Sequence, residues 1–126
     1  DAHIDGFARF TPSGTVLMQH DDTAPDDPYN RATDALMDIL KDEKVDFETI
    51  PYAFDGRISD TCYYVNYYVC NGAVIMSEFG DVEADAIAFE AVKRLYPDRE
   101  VVTLNADMLL GLGGGIHCAT QQVPAV

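Results

Sequence analysis

Residues 63–79 read YYVNYYVCNGAVIMSEF, two runs of aromatic and aliphatic residues separated by Asn71-Gly72. Strand-forming residues on both sides of an Asn-Gly pair predict a β-hairpin closed by a two-residue turn. We therefore expect strands over Tyr63–Cys70 and Val74–Phe79. After the hairpin the sequence changes from a strand pattern to a helix pattern. The hairpin is therefore the first part of a larger unit.

The segment after the hairpin has apolar residues at helical spacing and then returns to a strand pattern. Pro97 ends the helical segment, and Glu100–Leu104 reads as another strand. The unit is therefore strand, strand, helix, strand. The apolar stripe of the helix is formed by Ala84, Ile87, Ala88, Ala91, Val92 and Leu95.

The first half of the chain has the same order of elements. Asp27 offers a helix N-cap, followed by Pro28 at the first helical position. The apolar stripe of this helix is Ala32, Ala35, Leu36, Ile39 and Leu40. The predicted strands are Phe7–Phe10, Val16–His20 and Phe47–Tyr52.

The two halves align as an internal repeat with an offset of about 55 residues. Val16-Leu17-Met18 corresponds to Val74-Ile75-Met76, and Phe47–Ile50 corresponds to Val101–Leu104. We therefore predict an α/β fold of β-β-α-β modules over approximately residues 7–52 and 63–104, with a closing strand over residues 115–123. The chain starts at Asp1, close to the first module, and we expect it to be the C-terminal part of something longer.

The residues with the clearest chemistry lie near the two ends of the chain. Gly113-Gly114-Gly115 precedes Cys118, and a thiol beside a glycine turn lies close to backbone N–H donors, a plausible setting for a nucleophile. His3 and Asp5 are two residues apart, so on a strand they would project from one face. On the same reasoning His117 points away from Cys118, and we expect a structural role for it.

Composition limits the possible partners and the compartment. The net charge of −14 argues against nucleic acid and favours a cationic ligand, although a solvated acidic surface of a salt-adapted protein fits equally well. Three cysteines, no signal-peptide pattern and no apolar run of bilayer length predict a cytoplasmic protein that does not bind membranes. A Cys62–Cys70 disulfide is possible but disfavoured in that compartment.

Two other patterns contain residue types that can form ligand sites. The runs His20-Asp21-Asp22 and Asp26-Asp27 contain metal-ligand types without a fixed spacing, so a solvated loop with Asp27 as a helix cap is the better interpretation. The glycines near residue 113 lack the lysine and Ser/Thr of a phosphate loop. We predict no metal and no organic cofactor.

Three ordered motifs point to a known family: His3-Ile4-Asp5, Tyr64-Val65-Asn66-Tyr67-Tyr68 ahead of Asn71-Gly72, and Gly113–Cys118. Together they resemble the agmatine deiminase and Porphyromonas-type peptidylarginine deiminase family of guanidino-group-modifying enzymes. The resemblance implies the pentein fold, five β-β-α-β modules in a ring. This chain would then supply roughly the last two modules and the closing strand.

The resemblance also implies a mechanism. Cys118 would attack the guanidinium carbon and form a covalent thiouronium intermediate, His3 would act as acid and base, and Asp5 would clamp the guanidinium. Gly114 and Gly115 would contact the substrate. Asn66 would contact the substrate or orient the site, or would only end a buried strand, and both interpretations stay open here.

The substrate implied is a small cationic guanidino compound, with agmatine converted to N-carbamoylputrescine and ammonia in polyamine biosynthesis. Free or peptidyl arginine is the alternative. A second alternative is a non-catalytic or split fragment that needs the missing N-terminal modules. The expected partners are those modules or a further copy of the chain.

Overall fold

The computed structural model describes residues 3–22, 24–53 and 62–124. These residues form two β-β-α-β modules in sequence. The first consists of β1 (Ala8–Phe10), β2 (Val16–Gln19), α1 (Pro28–Asp42) and β3 (Phe47–Ile50). The second consists of β4 (Tyr68–Cys70), β5 (Ala73–Glu78), α2 (Val82–Leu95) and β6 (Glu100–Asn105), and a 3-10 turn (Ile4–Gly6) and the short α3 (Asp107–Leu110) lie outside the modules.

The two modules have the same sheet topology. In each, the middle strand pairs with the preceding strand in antiparallel fashion and with the strand after the helix in parallel fashion. Val16 pairs with Phe47 in the first sheet, and Val74 pairs with Val101 in the second. The sequence alignment matched these same residues, so the predicted repeat and the α/β fold class are confirmed.

Both long helices begin at aspartate caps. The Asp27 side chain accepts hydrogen bonds from the backbone N–H groups of Tyr29 and Asn30 at 2.7 and 3.3 Å, and Pro28 occupies the first helical position. Asp81 accepts from Ala84 N at 3.1 Å. Each cap satisfies amide groups that a helix otherwise leaves unpaired at its N-terminus.

The buried face of α1 is rotated from the predicted stripe. Leu40 is buried, but Ile39 is 59% exposed, and polar Asn30 and Thr33 are buried instead. These two tolerate burial because their polar atoms are bonded: Asn30 Nδ2 donates to backbone oxygens of the preceding loop, and Thr33 Oγ1 donates to Tyr29 O at 3.2 Å. Hydrophobicity alone could not reveal these bonds.

Strand β2 joins the two modules. Val16 and Met18 pack in the cluster that faces α1, whereas Leu17 packs in the larger cluster built mainly from the second module. Gln19 is fully buried and bridges the modules through its amide, which donates to Cys62 O at 3.1 Å and accepts from Val65 N at 3.2 Å. A strand buried on both faces therefore anchors the region from which the candidate site is built.

The first strand of the second module is shorter in the structure than in the prediction. The expected strand over Tyr63–Cys70 is limited to Tyr68–Cys70, and residues 64–65 form a turn. Tyr64, Val65, Asn66 and Tyr67 are all buried. Because consecutive residues are buried here, the segment lacks the alternation of a half-exposed strand.

Both chain ends also differ from the predicted strands. The predicted closing strand over residues 115–123 is wrong: residues 116–119 form a turn and residues 120–124 are irregular. Its hydrogen bonds are local, from Ala119 N to Gly115 O and from Thr120 N to His117 O. At the other end, His3 and Asp5 do not share a strand, because Gly6 N bonds to His3 O and closes a 3-10 turn.

The cysteines and the helices bear on two further expectations. None of Cys62, Cys70 and Cys118 takes part in a disulfide, so the disfavoured Cys62–Cys70 disulfide is not formed. Within residues 3–22, 24–53 and 62–124, no helix has both the length and the apolar character needed to cross a bilayer.

Candidate active site

A cavity of about 500 Å³ brings the two chain ends together. His3, Asp5 and Cys118 all line it, although more than a hundred residues separate the first two from the third. Asn66, Gly114 and Gly115 line it as well. Every residue that the sequence motifs singled out for the site therefore borders one space. The remaining lining residues are Gly6, Phe7, Pro28, Tyr29, Ala32, Tyr63 and Gly113.

Cys118 lies at the end of the glycine turn, with its thiol between a donor and an acceptor. Asn66 Nδ2 donates to Cys118 Sγ at 3.3 Å, and Sγ lies 3.5 Å from Asp5 Oδ2. Gly113 has φ +87°, a conformation that favours glycine. A Cβ on Gly114 would lie 3.0 Å from the Cβ of Cys118, so this glycine gives the cysteine its space.

Asn66 is the buried centre of the site. The residue is 2% exposed, and both ends of its side-chain amide make hydrogen bonds. Nδ2 donates to Asp5 O at 3.1 Å as well as to the sulfur, while Oδ1 accepts from His117 N at 3.0 Å and from Cys118 N at 3.4 Å. One amide therefore connects the N-terminal turn, the second module and the cysteine turn.

Asp5 is a charged group held in a partly buried position. Burial alone would raise its pKa, but hydrogen bonds from His117, Cys118 and Asn66, together with the charge of His117, outweigh burial and lower the pKa. The carboxyl group is therefore ionised at neutral pH. An ionised carboxylate at the cavity wall is suited to binding a cation through paired N–H donors.

His3 and His117 occupy different positions in the site. His3 is exposed at the start of the 3-10 turn and borders the cavity. His117 is not among the residues that line the cavity, yet its Nδ1 lies 2.6 Å from Asp5 Oδ2. The sequence reasoning missed this contact because it assumed a strand, in which neighbours point apart. In a turn, His117 and Cys118 both contact Asp5.

Three aromatic rings form one wall of the cavity. The ring centroids of Phe7 and Tyr29 are 5.5 Å apart, and Tyr63 lies 6.1 Å from each. A Cβ on Gly6 would lie 3.3 Å from the Tyr63 ring, so the turn and the ring are in close contact. The site therefore combines an apolar aromatic wall with a carboxylate and a thiol.

The loop that contains the runs His20-Asp21-Asp22 and Asp26-Asp27, here called the acidic loop, is held by hydrogen bonds within the protein. His20 lies between two carboxylates, with Nδ1 3.0 Å from Asp22 Oδ1 and Nε2 2.9 Å from Asp34 Oδ1. Asp27 caps α1. In the part of the chain that the structure describes, no group of three or more histidine, cysteine, aspartate or glutamate residues is arranged to hold a metal ion.

Comparison with known proteins finds relatives in the family that the sequence motifs resemble. The chain is 34% identical to an agmatine deiminase of Pseudomonas putida over 99% of its length, and 30% identical to one of Medicago truncatula over 100%. A solved agmatine deiminase of Enterococcus faecalis superposes with a TM-score of 0.82 at 25% identity, over 98% of this chain and 40% of that one. The chain spans 41% of the length of each of the two curated relatives.

The fold and the site define a protein of repeated pentein-type β-β-α-β modules with a cysteine, a carboxylate and a histidine around one cavity. The match to a family model extends over residues 1–124. The chain belongs to the Porphyromonas-type peptidyl-arginine deiminase family.

Proposed function

We propose that the protein carrying this sequence hydrolyses guanidino groups, with Cys118 as nucleophile, His3 as acid and base, and Asp5 as the clamp for the guanidinium. The observation that carries the proposal is the position of the Cys118 sulfur, 3.5 Å from Asp5 Oδ2. A guanidinium bound to this carboxylate through two N–H groups has its central carbon close to the sulfur. Family membership supports the same reaction.

The reaction proceeds in two halves. The Cys118 thiolate attacks the guanidinium carbon, His3 gives a proton to one amino group, and the C–N bond breaks to release ammonia. A thiouronium remains bonded to the sulfur. His3 then takes a proton from water and the resulting hydroxide attacks the same carbon. The C–S bond breaks to restore the thiolate, and the hydroxyl proton is lost to solvent to give a neutral ureido product. An imidazole suits both steps because it titrates near neutral pH.

The amide of Asn66 supports the nucleophile in this scheme. Its Nδ2 donates to Sγ at 3.3 Å, and a donor of this kind stabilises the thiolate more than the thiol. Since Asn66 is 2% exposed and both ends of its amide are bonded within the protein, we assign it the orienting role rather than a substrate contact. Gly114 and Gly115 keep the cavity wall free of side chains beside the reacting atoms.

Agmatine is the substrate that we propose first, with conversion to N-carbamoylputrescine in cytoplasmic polyamine biosynthesis. Agmatine carries a guanidinium and a second cationic amine, and the net charge of −14 favours such a ligand over one with a free carboxylate. The aromatic wall of Phe7, Tyr29 and Tyr63 suits both the aliphatic part and the cation of the substrate. Free and peptidyl arginine are the competing substrates.

The test is ammonia release from agmatine, free arginine and an arginine peptide, with wild type, Cys118→Ser and Cys70→Ser compared. Cys70 is the matched control, because it lies on the β4–β5 hairpin and does not border the cavity. We expect activity in wild type and Cys70→Ser and loss in Cys118→Ser. Equal activity in all three proteins would contradict the proposed nucleophile, and the preferred compound identifies the substrate.

A second candidate is a fragment without activity of its own. It is favoured by the length comparison, since 59% of each curated relative has no counterpart in this sequence (100 − 41). This candidate predicts no ammonia release from the 126-residue chain alone and recovery when the remaining modules of a relative are added. Sizing of the mixture then identifies the partner, which is either those modules or another copy of the chain.

A further inference from the structure

His117 is held in place from two directions. Its backbone N–H is 3.0 Å from Asn66 Oδ1 and 3.1 Å from Asn66 O. Its ring Nδ1 lies 2.6 Å from Asp5 Oδ2, and the His117 and Asp5 side chains are 28% and 16% exposed. The ring therefore has a fixed orientation against a partly buried carboxylate.

The chemistry of the contact determines the proton position. An ionised carboxylate only accepts hydrogen bonds, so Nδ1 of His117 must carry the proton in this pair. The lowered pKa of Asp5 is consistent with such a donor. Because His117 contacts Oδ2 and does not border the cavity, it leaves Oδ1 of Asp5 for one N–H group of a bound guanidinium. Oδ2 can accept the second N–H group once Cys118 is a thiolate and no longer donates to it.

We propose that His117 is a positioning residue that acts through Asp5, holding the carboxylate in the orientation in which it clamps a guanidinium beside the Cys118 sulfur. This inference rests on the proposed function, because that function supplies the guanidinium as the bound substrate. It is distinct from the role of His3, which borders the cavity. Without the His117 donor, the Asp5 carboxylate can rotate about its side-chain bond, and a bound guanidinium loses its alignment with Sγ.

The experiment compares His117→Ala, His117→Asn and His20→Asn in the protein as its gene encodes it. The asparagine amide nitrogen occupies nearly the position of Nδ1, so His117→Asn keeps a donor to Asp5. His20 is the matched control, because it also contacts carboxylates but lies on the acidic loop and does not border the cavity. The readouts are the pKa of the Asp5 carboxyl by carbon-detected NMR and kcat/KM for the preferred guanidino substrate.

We expect His117→Ala to raise the pKa of Asp5 and to lower kcat/KM on the order of 10- to 100-fold, the usual effect of removing a group that orients a site residue. His117→Asn should keep a lowered Asp5 pKa and most of the activity. His20→Asn should change neither. If His117→Ala leaves both readouts unchanged, or if folded His117→Asn is as defective as His117→Ala, the inference is wrong.

Two measurements separate this inference from the proposed function. A wild-type protein that turns over no guanidino compound contradicts the proposed function, while the Asp5 pKa in the variants still judges the His117 contact. Ring nitrogen NMR of wild type needs no substitution and therefore cannot be confounded by unfolding. It should show Nδ1 of His117 protonated at neutral pH, and a neutral ring protonated only at Nε2 would overturn the pairing.

Discussion

Gly115 lies directly against the amide of Asn66. A Cβ at position 115 would be 2.4 Å from Oδ1 and 2.9 Å from Cγ of Asn66. Asn66 has little room to move, because the same amide is bonded to Asp5, His117 and Cys118. The last glycine of the triple-glycine turn is therefore required by packing, and not by an unusual backbone angle.

Gly115→Ala should destabilise the protein by about 1–3 kcal/mol, the usual cost of overpacking a tightly filled site, and should abolish most activity. Chemical denaturation and the ammonia assay measure the two effects. Gly111→Ala is the control, since its Cβ would meet nothing closer than 3.6 Å. Equal stability of the two variants would show that the Asn66 amide can move aside.

Asn66→Asp should slow the reaction of Cys118 with iodoacetamide. The substitution keeps the shape of the side chain but replaces the Nδ2 donor to Sγ by an oxygen and adds a negative charge beside Asp5. Both changes disfavour the thiolate, which is the reactive form. Loss of buried hydrogen bonds should also cost about 1–3 kcal/mol of stability.

The control for this variant is Asn71→Asp, at the exposed turn between β4 and β5, where Asp-Gly is as suitable as Asn-Gly. The rate of alkylation is measured across pH 6–9 and each modified cysteine is identified by mass spectrometry, because Cys70 also reacts if it is accessible. An unchanged rate at Cys118 in Asn66→Asp would exclude a role of Asn66 in holding the sulfur.

The modules could be predicted from sequence because periodic hydrophobicity and turn chemistry determine them locally. The Asn71-Gly72 hairpin, the Asp27-Pro28 helix start and the strands that contain Val16 and Phe47 all follow from short-range patterns. The buried face of α1 did not follow, because Asn30 is buried through side-chain bonds to backbone oxygens of a preceding loop. Such bonds depend on tertiary structure.

The sequence motifs selected residues that the structure brings together, but the motifs did not reveal the local geometry of these residues. The motifs selected His3, Asp5 and Cys118, which border one cavity. The strand periodicity used to place them was wrong at both ends of the chain, where turns are closed by local hydrogen bonds. This error hid His117, whose contact with Asp5 depends on the turn.

The contribution of Asp5 to the free energy of unfolding should decrease at acid pH. The folded-state pKa of Asp5 is lowered, so its contribution is fully present above the unfolded pKa of about 3.9 and is lost as pH falls through the folded value. The difference in unfolding free energy between wild type and Asp5→Asn should therefore shrink as the pH falls below about 4. Urea denaturation at each pH measures it.

Asp38→Asn is the control for the Asp5 measurement, because Asp38 is an exposed partner of Lys41 at 3.2 Å on α1. Exposed ion pairs contribute little, so this variant should differ from wild type by less than about 1 kcal/mol at each pH. A difference for Asp5→Asn that grows as the pH falls would mean that the native contacts of Asp5 favour its protonated form.

The Asp85 side chain holds the connection between β5 and α2 by hydrogen bonds. Its removal should lower the free energy of unfolding more than removal of the hydroxyl group of its partner Tyr64. The Asp85 carboxylate accepts from Tyr64 Oη at 2.6 Å, Phe79 N at 3.0 Å and Gly80 N at 2.9 Å. Asp85→Ala removes all three bonds and leaves amides unpaired, which should cost about 2–4 kcal/mol, whereas Tyr64→Phe removes one and should cost about 1–2 kcal/mol.

The contact between Asp85 and Tyr64 also predicts that the Tyr64 phenol resists ionisation. Burial, followed by the hydrogen bond and the charge of Asp85, raises the pKa of Tyr64, so its neutral form stabilises the fold fully below the unfolded pKa of about 10 and progressively less as the pH rises above it. Absorbance at alkaline pH should show Tyr64 ionising only with unfolding, and Tyr64→Phe should remove one late-titrating group. Tyr68→Phe, on the neighbouring strand β4, is the control for loss of a hydroxyl. If Asp85→Ala leaves the late titration unchanged, the carboxylate does not hold this phenol.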